Sequence, residues 1–263
     1  MNLRRWLVCA AGVVGLASPS MYAADPVTIE LTGDLFSDYV WRGQRLNKEA
    51  VFQPGATVSY KGFTGGIWGN MDLTDIHDER YTLSELDYSL DYTGTMPGAD
   101  KWSYSAGLIY YDFPPLDLMT MEVYAGLTWN VLLNPSVTVY YDFDKDEAGD
   151  PGAKDLTKGV YVALTVAHTL EHAIPMGSSD LDIKLGAGLG WGDSQYNKGY
   201  WGVDGGKLND LDFSVAVPID VWGMTITPSA KVFVLIDGNI RDSHVYSDDS
   251  TYFVAGVGLA KTF

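Results

Sequence analysis

Three features of the sequence predict an all-β protein, a 12-stranded antiparallel up-and-down transmembrane β-barrel of the outer-membrane type. Apolar residues recur at every second position in a dozen segments, the period of a strand with one oily face. The links between segments alternate between tight and long, as in barrels with short periplasmic turns and long extracellular loops. After residue 24 no apolar run approaches the roughly 20 residues that a spanning helix needs, so any crossing of a membrane falls to strands.

Residues 1–24 read as a signal peptide, with Arg4 and Arg5 ahead of a short apolar core and a small-residue stretch ending near Ala24. The barrel domain is expected over residues 25–263. Without the two arginines the net charge moves from −17 to −19, which repels nucleic acid. The 46% hydrophobic and 13% aromatic content argues against disorder. Cys9 is the only cysteine and lies in the leader, so the mature chain is expected to have no disulfide, thiol chemistry or cysteine-bound metal.

The first strand is expected over 27–43, with Ile29, Leu31, Leu35, Tyr39 and Trp41 facing lipid and Glu30, Thr32, Asp34, Asp38 and Arg42 opposite. The second (52–60) turns tightly through Lys61 and Gly62 into the third (63–73), and the fourth (82–93) sets Leu86, Tyr88, Leu90 and Tyr92 against Glu85, Asp87, Ser89 and Asp91. Strands five (102–111) and six (120–132) present Trp102, Tyr104, Leu108, Tyr110, Met121, Val123, Leu127 and Trp129 outward. Asn134 and Pro135 then turn the chain into strand seven (136–144). Strands eight (159–170), nine (180–191), ten (210–221), eleven (224–236) and twelve (251–263) follow the same alternation. The last is expected to close the barrel, because an unpaired strand edge in lipid costs several kcal/mol for each backbone group. The alternative, a soluble sandwich, leaves the odd-even rhythm of the connections unexplained.

The connections at 61–62, 94–101, 133–135, 171–179 and 222–223 form the short set, and 145–158, 192–209 and 237–250 belong to the long one. Aromatics are expected as two girdles, because amphipathic rings settle at the headgroup level. Tyr39, Trp41, Tyr110 and Trp191 fall at the extracellular ends, and Tyr60, Tyr92, Trp102, Tyr104 and Trp129 at the periplasmic ends.

If the oily faces meet lipid, the opposite parity lines the interior. The expected channel-lining residues are Asp34, Asp38, Arg42, Asp72, Glu85, Asp87, Asp91, Glu122, Asp142, Lys184, Asp210, Asp212 and Lys231, with Glu30 and Asp182 on the same face. Acids dominate this set, and such an excess within a low-dielectric wall favours cations and disfavours anions. Tyr111, Tyr124, Tyr140, Tyr161 and Phe233 add inward rings, while Gly186, Gly188 and Gly190 leave one wall bare.

Other motifs carry less. Asp142, Asp144 and Asp146 alternate before Gly149, but the glycine is misplaced for a calcium loop and no glutamate follows at the twelfth loop position. His168 and His172 stand four apart across an expected strand end, a spacing that does not put both on one face. The glycines of 185–192 lack the spacing and following helix of a dinucleotide site. No nucleophile lies two residues from His168, so neither enzyme activity nor a cofactor is expected.

Several short stretches carry a family resemblance: Ser37-Asp-Tyr-Val-Trp-Arg-Gly43, Gln53-Pro-Gly55, Gly66-Ile-Trp-Gly-Asn70, Glu85-Leu-Asp-Tyr88, Gly107-Leu-Ile-Tyr-Tyr111 and Glu122-Val-Tyr-Ala-Gly126. Over residues 27–145 the chain resembles the TorF-type family of porin-like proteins, also called the Gcw family. It departs from the pattern at Gly69, where the family has serine. The resemblance implies a bacterial outer-membrane barrel and assigns no substrate, so no binding residue is carried over; a twelve-stranded nucleoside channel is a looser, fold-level analogue. The function expected is a porin-like channel for passive diffusion of small cationic or neutral polar solutes, the alternative being a non-conducting structural or surface-interaction barrel. The partners expected are outer-membrane lipid, the barrel-assembly machinery and a small polar solute.

Overall fold

The computed structural model describes residues 27–76, 80–147, 158–176 and 180–263. The expected leader lies outside them, as does most of the loop expected at 145–158. In chain order the strands are β1 (Thr28–Phe36), β2 (Tyr39–Trp41), β3 (Gln44–Asn47), β4 (Val51–Tyr60), β5 (Phe63–Asp72), β6 (Thr82–Thr95) and β7 (Trp102–Phe113). They continue as β8 (Leu118–Trp129), β9 (Ser136–Glu147), β10 (Gly159–Ile174), β11 (Leu181–Gly192), β12 (Lys207–Ala216), β13 (Ile219–Val221), β14 (Met224–Leu235) and β15 (Thr251–Thr262). Two helices, α1 (Ser194–Trp201) and α2 (Gly238–Asp242), lie between β11 and β12 and between β14 and β15.

Neighbouring barrel strands pair antiparallel, and β1 closes on β15 from Glu30 opposite Thr262 to Phe36 opposite Gly256. β12 and β13 are one stave broken at Pro218, which has no N–H to donate, and both halves pair with β14. With that stave counted once, the barrel is closed and twelve-stranded. Closure leaves no edge, the requirement for strands in lipid.

The outward face is oily and solvent-exposed: Leu31, Leu35, Val58, Leu90, Phe213 and Phe253 all project from the wall. In water such a surface would be costly, and in lipid it needs no partner. At the end expected to be periplasmic Trp102 stacks on Trp129 with centroids 5.6 Å apart, and Phe63, Tyr92 and Tyr104 form a second run of rings. The Lys61–Gly62 and Trp222–Gly223 turns both have two consecutive positive φ values, the backbone that matches the twist of a two-residue hairpin. Among the described residues no helix is long and apolar enough to cross a membrane.

Four expectations need correction. The first strand ends at Phe36 and does not reach residue 43; the chain turns inward, and β2 and β3 form a separate hairpin with Arg42 (φ 46) and Gly43 (φ 77) at its tip. Tyr39 and Trp41 therefore sit inside the barrel at 5% and 4% exposure and do not join the extracellular girdle. The alternation of residues 37–43 is genuine, but it belongs to a strand packed in the lumen. β10 runs to Ile174, so His168 and His172 share one strand; its register shifts between Leu170 and Ile174, where His172 takes φ 55. Finally, the loops after β11 and β14 contain helices. α1 is capped by Asp193, whose side chain accepts from the Tyr196 N–H at 2.7 Å, and ends on Gly202 in the left-handed region.

Candidate functional site

The inward hairpin defines the interior. It is rooted between β1 and β4, and its tip reaches the opposite wall. Arg42 donates from Nη1 and Nη2 to Glu122 on β8 at 2.8 and 2.9 Å. Its guanidinium carbon stands 4.1 Å from the Tyr140 ring of β9, 4.6 Å from the Tyr161 ring of β10 and 4.3 Å from its neighbour Trp41. Burial works against this charge, but Glu122, Tyr196 and Tyr111 push the Arg42 pKa above the ordinary guanidinium range.

The rest of the hairpin is tied to other staves. The Tyr39 hydroxyl donates to Glu85 at 2.9 Å, Asn47 donates to Asp72 at 2.6 Å, and Gln44 donates to the Tyr196 hydroxyl of α1 at 3.0 Å. Arg45 binds Asp38 at the hairpin base and reaches Asp249 at 3.4 Å. The helices close the same end. Tyr196, Asn197, Tyr200 and Trp201 of α1 are buried, as is Ile240 of α2. Tyr200 donates to Asp142 at 2.7 Å and its ring meets Trp41 edge-on at 5.7 Å. Where α1 meets the wall, a Cβ on Gly159 would stand 2.5 Å from the Tyr196 backbone, so only glycine admits the helix there.

The thirteen residues expected to line the interior divide into two groups. Asp38, Arg42, Asp72, Glu85, Asp87, Glu122, Asp142 and Asp210 lie in the packed half of the barrel that holds the hairpin, where each carboxylate is less than a tenth exposed. Most are bonded: Asp72 accepts from Asn47, Asn70 and Ser84, Asp210 from Tyr161, and Glu122 also from Tyr111. Two are incompletely satisfied, since both Asp87 oxygens and Oδ1 of Asp142 have no hydrogen-bond partner. Of this first group Asp72, Glu85 and Glu122 bind the hairpin, while Asp142 binds α1 and Asp210 binds Tyr161 of the wall.

Asp34, Asp91, Lys184, Asp212 and Lys231 make the second group. The pairing register turns them inward, and all five keep partial or full exposure, so the space they face is the open part of the lumen. Asp212 and Lys231 pair at 3.1 Å. Around them the wall is small and polar: Thr57, Ser59, Thr64, Ser89, Thr138 and Thr165 share the inward parity. Of the inward rings, Tyr111, Tyr140, Tyr161 and Phe233 are covered by the packed layer, and only Tyr124 stays half-exposed. The space left by Gly188 and Gly190 is taken by Asp212, and by Tyr161 and Asp210. Among the described residues no group of His, Cys, Asp and Glu is arranged to hold a metal ion.

Sequence reasoning missed α1 and its four buried residues. The signal was present in Asp193, an N-cap residue, and Gly202 nine positions on, a C-terminal stop.

Fold and interior together define an outer-membrane-type β-barrel with a polar lumen and an inward-folded first loop. The chain belongs to the Gcw_chp family, described as bacterial proteins of unknown function, whose model matches residues 20–198. An outer membrane channel from Pseudomonas putida F1 is similar in structure, with a TM-score of 0.51 at 9% identity, over 94% of this chain and all of that one. At that identity the likeness establishes the barrel fold alone. A KdgM porin in complex with disordered oligogalacturonate aligns over 90% of this chain and 99% of its own, and a NanC porin over 89% and 98%, both at 12% identity and a TM-score of 0.49. No curated protein matches by sequence.

Proposed function

We propose that the protein is a porin-like channel of the bacterial outer membrane, a passive route for small cationic or neutral polar solutes, held closed at its extracellular mouth by the β2–β3 hairpin. The observation that carries this reading is the contrast between the two halves of the interior. A barrel serving only as an anchor gains by packing its whole lumen, yet here the periplasmic half is walled by Gly, Ser and Thr with five charged side chains left in contact with solvent. With Asp212 paired to Lys231, Asp34 and Asp91 outweigh Lys184 on that wall and supply the negative potential that favours cations. The reading includes export by a cleaved leader, insertion by the barrel-assembly machinery and no catalytic step.

A second reading, a non-conducting barrel, is favoured by the packing of the extracellular half, where Gln44, Asn47, Asn197 and Asn209 are wholly enclosed. Planar-bilayer recording separates the two. The channel reading expects discrete conductance steps with potassium more permeant than chloride, more frequent when Gly43→Ala prevents the hairpin from seating. Silence in both proteins establishes the second reading, and chloride preference removes the cationic part of the first.

A further inference from the structure

We propose that the wall pocket filled by Arg42 is a binding site for guanidinium- or ammonium-bearing solutes, and that Arg42 is its tethered occupant. The proposal names the solute class for the channel described above and rests on that reading for its setting. Binding itself is independent of conduction.

Apart from the ring of Trp41, which comes with the hairpin, the pocket is built by the wall. Glu122 comes from β8, Tyr140 from β9 and Tyr161 from β10, three consecutive staves whose register brings Glu122 opposite Asp142 and Tyr140 opposite Tyr161. Tyr111 of β7 donates to Glu122 Oε1 at 3.0 Å and so holds the carboxylate in position from behind. One carboxylate flanked by two ring faces is the chemistry that recognises an organic cation: the carboxylate forks onto two N–H groups, and the rings present their negative faces to the spread charge. Arg42 demonstrates the fit, with two charge-assisted hydrogen bonds and both wall rings within 4.6 Å of the guanidinium carbon.

A second observation points to a ligand other than Arg42. Asp142, beside Glu122 and 2% exposed, leaves Oδ1 without a donor. A latch for one arginine needs one carboxylate. Arg42, with both terminal nitrogens on Glu122, makes no bond to that oxygen, which belongs to the residue directly opposite Glu122, and the ligand proposed is a cation whose further N–H meets it. An anion meets Glu122, Asp142 and Asp210 together and is excluded. The tether sets the competition, because a ligand on a short loop acts at an effective concentration on the order of millimolar. A free solute therefore displaces Arg42 only from about that concentration upward.

The test is calorimetric titration of the detergent-solubilised protein with methylguanidinium chloride, with sodium acetate as control. Arg42→Ala, which empties the pocket, should bind methylguanidinium saturably and at least about tenfold more tightly than the wild type. Adding Glu122→Gln should weaken that binding at least about tenfold, the cost of a lost charge-assisted pair. Acetate should not bind. If Arg42→Ala does not fold, Arg42→Lys replaces it: lysine keeps the charge but loses the fork, so methylguanidinium should compete at lower concentration than in the wild type. Equal binding in the wild type and the Arg42 variant, or binding unaffected by Glu122→Gln, overturns the proposal. A site that binds in a barrel that never conducts removes the channel reading and keeps the site; conduction without binding does the reverse.

Discussion

Gly43 offers the sharpest test of the inward hairpin. Its φ of +77 lies in the left-handed region, where a side chain costs roughly 1–2 kcal/mol. A Cβ there would also stand 2.7 Å from the Asp210 Cβ and 2.9 Å from Leu235 Cδ2, inside van der Waals contact with two different staves. Overpacking of that kind costs roughly 1–3 kcal/mol. A hairpin released from the lumen escapes both penalties, so Gly43→Ala should shift the balance toward release by roughly 2–5 kcal/mol, about 30-fold to a few thousandfold. Limited trypsin digestion of the protein in lipid vesicles reads this directly, because Arg42 lies at the tip and Arg45 in β3 of the hairpin, and cleavage tracks the population of the open form when opening is fast. The expected result is a rise of at least about 30-fold in cleavage after Arg42 or Arg45, with the barrel strands still resistant. Unchanged cleavage would refute the seating argument, and equal acceleration at sites in the barrel wall would show general destabilisation.

Other consequences follow from the same geometry. Glu122→Gln strands a buried guanidinium and should cost about 3–5 kcal/mol, lowering the thermal midpoint measured by loss of heat-modifiable gel mobility; no change in the midpoint removes the ion pair as a structural element. Leu90, 59% exposed on the outer face of β6, should tolerate arginine poorly: about 2–4 kcal/mol lost in urea titrations in lipid vesicles, against almost nothing if that face met water. Asp34→Asn combined with Asp91→Asn should lower the potassium-to-chloride permeability ratio read from reversal potentials while leaving the hairpin in place; an unchanged ratio moves the selectivity elsewhere.

Some of this was legible without coordinates, and the dividing line is physical. A two-residue period is a local property, so Leu86, Tyr88 and Leu90 declare their outward face and Glu85, Asp87 and Asp91 their inward one from sequence alone, and β6 keeps that parity from Glu85 to Asp91. Turn chemistry is equally local, as Lys61–Gly62 illustrates. The same local rule misled at residues 37–43, because alternation says that a segment is extended and says nothing about which partner it meets. Ser37–Gly43 has the pattern of a lipid-facing strand, yet its destination depends on Arg42 finding Glu122 80 residues away and Gln44 finding Tyr196 152 residues away. Pairings at that separation leave no period in the sequence. The sequence by itself therefore determined a strand-built wall with oil outside and carboxylates inside. Only the tertiary structure decided that Asp72, Glu85 and Glu122 among those carboxylates hold a folded-in hairpin, since an arginine placed among buried acids and aromatic rings is stabilised by neighbours that chain closure, and not chain order, brings together.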